Sequence, residues 1–80
     1  MDSFIYPLTI VYDRYMGTYS GGRWTAWCID ADLVPEAIHS DDIICSEFWS
    51  TNAKRYHIGK GDSPEEAVRN LEKLVRPWEN

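Results

Sequence analysis

Eighty residues, 44% of them hydrophobic and four of them tryptophan, make one small domain, near the lower end of what a hydrophobic core can support without help. This aromatic-rich composition excludes a disordered tail, and the formal net charge of −5 argues against direct binding to free DNA or RNA. No stretch approaches the roughly 18 apolar residues of a membrane span, and MDSFIYPLTIVY lacks the basic leader and cleavage site of a signal peptide, so a single domain over residues 1–80 with no membrane association is expected.

Residues 4–12, FIYPLTIVY, are β-branched and aromatic and predict a first strand. Tyr6, Leu8, Ile10 and Tyr12 fall on one face, and Ile5, Pro7, Thr9 and Val11 on the other. Pro7 has no backbone donor, which places it at a strand start or a sheet edge. DRYMGTYSGG, 13–22, is a connection. Its Tyr15 and Tyr19 lie where burial is hard, which makes them candidate contacts for a partner. RWTAWCID, 23–30, predicts a second strand with Trp24, Ala26 and Cys28 opposed to Thr25, Trp27 and Ile29. An acidic connection follows over 31–42, with one helical turn at PEAI. IICSEFW, 43–49, predicts a third strand, STNAK a turn, and RYHIG a short fourth strand.

GKGDSPEEA, 59–67, has the glycines and lysine of a phosphate loop in the wrong order. Lys60 lies between its glycines, and Asp62 would repel an anion. The same residues make a good helix start. Ser63 is the N-cap, Pro64 takes the first helical position, and Glu66 completes a capping box. Ala67, Leu71, Leu74 and Trp78 then recur at helical spacing, with Val68 and Val75 beside them, until Pro77 ends the pattern. The predicted fold is therefore α+β: an antiparallel sheet of three or four strands with one C-terminal helix packed on one face, and more strand than helix. One helix covers one face only. The other face, with Trp27 on it, is expected to be buried by a second copy of the chain as a homodimer, through the first strand or Trp27, or by the target itself.

Catalytic and metal chemistry find little support. His39 and His57 are isolated, and a zinc site would require both to converge with Cys28 and Cys45. Asp30-Ala31-Asp32 places two carboxylates on one face of a strand end, a short and common pattern. Cys28, mid-strand among apolar residues, reads as core and not as a nucleophile. The two cysteines are expected to be reduced thiols in a cytoplasmic setting. The chain is thus read as a non-enzyme without cofactor or metal. Charge supplies the main functional signal. Asp30, Asp32, Glu36, Asp41, Asp42 and Glu47 fall within residues 30–47, which contain no Lys or Arg. The rest of the chain holds seven acids against eight bases. These six acids, with Tyr15, Tyr19 and Trp27, are the candidate partner-binding residues, and the partner they suit is a protein with a basic surface.

Tyr6-Pro7 opening a strand, followed by Gly61, Asp62, Ser63, Glu65, Glu66 and Ala67 at the helix start, resembles the N-terminal domain of HicB-type antitoxins. In that family a G-D-[ST]-x-E-E-A start packs one helix on a small antiparallel sheet. The resemblance implies neutralisation of a small toxin ribonuclease by protein–protein binding in a bacterial cell. Residues 31–57 depart from it, replacing a short Pro-Asp-Leu-Pro-Gly-Cys type passage with a long acidic insert. Many family members carry a DNA-binding domain after this helix, so only the inhibitory half of the function is expected here. In size and charge layout the chain is also similar to small acidic phage inhibitors of CRISPR surveillance complexes. That similarity implies occupation of a basic nucleic-acid path. Ser63→Ala is expected to lower the free energy of urea unfolding by about 1 kcal/mol through loss of the helix cap.

Overall fold

The computed structural model describes residues 5–75. Three strands, β1 (Thr9–Tyr12), β2 (Trp24–Trp27) and β3 (Ile58–Gly61), form an antiparallel sheet in that order. Helix α1 (Asp42–Glu47) lies between β2 and β3 in sequence, and α2 (Pro64–Leu74) follows β3. The architecture is α+β, with the C-terminal helix across one face of a three-stranded sheet.

Local chemistry fixes α2 as expected. Ser63 Oγ accepts from Glu66 N at 3.1 Å, so the cap is made, while the Glu66 carboxylate returns not to Ser63 N but to the preceding amide, Oε1 accepting from Asp62 N at 2.7 Å. The helix rests on the face formed by Ala26, Gly59 and Gly61. Ala67 and Leu71 are fully buried there, with Ile5 beside them and Leu8, Trp24, Cys28, Val68 and Val75 around the margin. Close approach explains the glycines. A Cβ on Gly59 would overlap the backbone of Ala67 and Leu71, and one on Gly61 would lie 2.7 Å from Ala67 N. Leu74, predicted in the buried stripe, is 54% exposed, because the helix meets the sheet along Ala67, Leu71 and Val75. Trp78 and Pro77 lie outside the described residues.

The opposite face is not bare. Trp27 is fully buried against Ile38, Phe48 and Ile58, with Val11, Val34, Trp49 and Tyr56 around them. Residues 31–55 make this cover from 3-10 turns at Ala31–Leu33 and Glu36–His39, α1, a π-helical stretch Phe48–Asn52 and a last 3-10 turn Ala53–Arg55. Residues 43–49 are thus helical and not the third strand that their isoleucines predict. Asp41 Oδ1 accepts from Ile44 N at 3.0 Å and starts a helix. The predicted fourth strand begins later, at Ile58, and is β3. With helices of six and eleven residues against three strands of four, the expected excess of strand over helix is reversed. Trp27 is therefore not available for the expected contact with a second copy or a target, because the chain covers that side chain itself.

Strand limits are tighter than predicted as well. β1 starts only at Thr9, so Ile5 escapes the strand parity and joins the helix-side core. Asp13 N donates to Arg23 O at 2.7 Å, which extends the β1–β2 ladder and sets its phase. Thr9 and Val11 therefore bond across to β2, while Ile10 and Tyr12 turn their backbone groups outward. Gly59→Ala is expected to cost about 3 kcal/mol, the upper end of overpacking, as a lower urea midpoint without a change in the denaturant slope.

Candidate protein-binding surface

The six acids of residues 30–47 are all exposed. They stand on the outer side of a segment whose inner side is core. Ile38, Cys45 and Phe48 point inward and are buried, and Asp41 and Asp42 open α1 where its positive end favours carboxylates. Asp30 takes the N-cap position and Asp32 lies within the 3-10 turn Ala31–Leu33, in which Leu33 N donates to Asp30 O at 2.9 Å. They are not the strand-end pair that the sequence suggests. Large aliphatic side chains stand exposed between the acids: Leu33 at 63%, Ile43 at 75% and Ile44 at 46%.

A second segment holds this cover in place. The buried Asp13 carboxylate accepts from Tyr15 N at 3.3 Å, Gly17 N at 2.5 Å and Ser20 Oγ at 2.9 Å, which folds residues 13–22 into a compact turn. From that turn Arg14 Nη1 donates to His39 O at 2.7 Å, and the Tyr15 hydroxyl donates to Ser40 O at 3.0 Å. The Tyr15 and Tyr19 rings meet edge to face at 5.4 Å. Lys60 Nζ sits 5.4 Å from the Trp49 ring centre and fastens the far side of the cover to β3. Asp13 and Arg14 were not singled out in the sequence, although an Asp opening a glycine-bounded turn is a usable signal for backbone capping.

The structure brings the predicted residues together in two places. Tyr19, Asp42 and Glu47 line one open groove with Ile43, and Tyr15 lies close enough to Asp42 to feel its charge. Asp32 and Glu36 line a second groove, beside β1. Trp27 belongs to neither, because it is fully buried and presents nothing to a partner. Where α1 widens into the π stretch, Ser50 Oγ and Thr51 Oγ1 both donate to Glu47 O, at 3.1 and 2.6 Å.

Two groups on this side are shifted. Burial pushes the Tyr15 phenol above its ordinary range, Arg14 opposes that shift, and Asp42 adds to it. Burial also raises the Cys45 thiol, and the Asp13 carboxylate adds to the effect. Cys45 and Cys28 are both free, Cys45 lying under the cover and Cys28 packing on the helix side. Among the described residues no group of three or more His, Cys, Asp or Glu could hold a metal ion, and no helix is long and apolar enough to cross a membrane. Compared with family models, curated proteins and solved structures, the chain shows no match.

A thiol raised by burial contributes stability that is complete below its unfolded pKa, about 8.5, and is lost as pH rises through the folded value. Stability is therefore expected to fall with alkaline pH, and less steeply in Cys45→Ala. At pH 8 iodoacetamide should label Cys28 before Cys45, as read by mass spectrometry.

Proposed function

We propose that this chain is a non-enzymatic inhibitor that lays its acidic segment on the basic nucleic-acid-binding surface of a protein machine, with a CRISPR surveillance complex as the target class. The observation that carries the reading is the pattern on residues 30–47. Exposed carboxylates alternate with exposed Leu33, Ile43 and Ile44 on a segment whose underside is anchored in core. A face that served solubility alone has no use for three exposed aliphatic side chains. A docking face does: carboxylates steer toward a basic groove, and aliphatic groups supply the desolvated contact once it is reached. Anchoring also lowers the ordering cost that a loose acidic loop would meet on binding.

An antitoxin role is the second reading. The cap at Ser63, and a C-terminal helix on a small antiparallel sheet, support the HicB-type resemblance. The two readings differ in target, a surveillance complex on one side and a small ribonuclease encoded nearby on the other. They share the absence of chemistry on the inhibitor.

Titrating the protein into a purified surveillance complex is expected to abolish binding of target DNA. The paired reversals Asp30→Lys with Asp32→Lys, and Asp41→Lys with Asp42→Lys, should each weaken inhibition roughly tenfold or more while leaving the circular dichroism spectrum unchanged. Raising salt from about 50 to about 300 mM should slow association. A complex that is unaffected, combined with stoichiometric silencing of a neighbouring ribonuclease, would favour the antitoxin. A partner indifferent to both reversals overturns the acidic-surface mechanism in either form.

A further inference from the structure

A three-stranded sheet has two outer edges, and here they are finished differently. At the β3 edge one outward group, Lys60 O, accepts a 2.6 Å hydrogen bond from Asn70 Nδ2 of α2, so the helix ties down part of that side. At the β1 edge the ladder phase turns the N–H and C=O of Ile10 and Tyr12 outward, and no described residue bonds them. Two donors and two acceptors at strand spacing form a template for one more strand.

Open space lies on both sides of this edge. Toward the cover, a groove of about 820 Å³ runs between β1 and the turns carrying Asp32, Val34 and Glu36. Toward α2, a groove of about 450 Å³ separates Ile10 from Val68 and is rimmed by Glu65, Arg69 and Glu72. Ile10 and Tyr12 are 39% and 49% exposed there, because α2 sits over β2 and β3.

We infer that the β1 edge takes one extended, basic peptide segment of a protein partner, which adds to the sheet as a fourth strand. Side chains of an added strand alternate between the two grooves. Those on the cover side run their stems past Val34 and bring positive heads to Asp32 and Glu36. Those on the helix side meet Ile10 and Val68, for which short apolar groups are suited. Four carboxylates against Arg69 select Lys and Arg over Asp and Glu. A second copy is a poor occupant. Two-fold pairing of β1 with β1 sets like faces side by side and brings Asp32 and Glu36 against their equals. This site goes beyond the inhibitory reading, since it uses the β1 backbone and not α1, and it stands whether or not the partner handles nucleic acid.

The test is titration of an end-blocked peptide of about ten residues, alternating Lys and Val, into the full isotope-labelled chain. Binding is expected with slowed hydrogen exchange at the Ile10 and Tyr12 amides, and a matching Glu–Val peptide should not bind. Ile10→Pro deletes an outward N–H while sparing the β1–β2 ladder, and should weaken binding roughly tenfold, whereas Ile10→Val should bind almost as the parent does. Asp32→Asn with Glu36→Gln, both on the surface, should weaken it roughly fivefold. The inference is overturned by any of these outcomes: no binding, equal binding of the Glu–Val peptide, free-rate exchange at Ile10 and Tyr12 in the complex, or protection of those amides by concentration-dependent dimerisation without peptide.

Discussion

Trp27 stands at the end of the central strand and faces away from α2. A side chain of that size left in water would forfeit several kcal/mol of burial in a domain that has little to spare. α2 cannot reach it, because the helix is committed to the glycine-floored face. The chain between β2 and β3 must therefore fold back over the sheet, and it does so with Ile38, Phe48 and Tyr56 meeting the indole and its neighbours. The indole N–H is satisfied within the sheet, donating to Thr25 Oγ1 at 2.9 Å. Much else follows from this demand: the bent course of residues 31–55, the grip of Arg14 and Tyr15 on residues 39–40, and the outward display of every acid on that segment.

Elements governed by local chemistry were legible in the sequence. The Ser63 cap, the Pro64 start and the sheet-helix order depend on neighbours a few residues apart, and they stand where the residues place them. The cover was not legible, for a physical reason. Ile43 and Ile44 carry strand propensity, yet they are the side chains left in water, so their identity says little about what the segment does to fold. The informative residues were Asp41, which caps, and Cys45 and Phe48, whose spacing of three marks a helical inner face. Trp27 misled in the opposite direction. Its place on the uncovered face was read correctly, but the occupant came from the same chain. Of the candidate surface, the acids and both tyrosines were found from charge and position, while the Asp13 turn that holds them, and the division into two grooves, depend on tertiary contacts.

That division changes how the charge should be understood. Six acids in one stretch of sequence suggest a single negative face, but the fold distributes them. Asp42 and Glu47 stand beside Tyr19, while Asp32 and Glu36 stand beside β1. Each place has its own neighbours, aromatic and aliphatic in the first and an open strand in the second. A partner large enough to span both would be held at two points with different demands, geometric at the strand and electrostatic at α1. Such a division favours recognition of a shaped protein surface over adsorption to any polycation.

The amide of Asn70 has a consequence for assembly. Sheets polymerise when each molecule offers two complementary edges, one to receive and one to continue. Here the Asn70 side chain occupies one acceptor on the β3 side, Lys60 O, and ties that strand to its helix. A strand arriving at that edge would have to displace the amide from Lys60 O, a cost that the β1 edge does not carry.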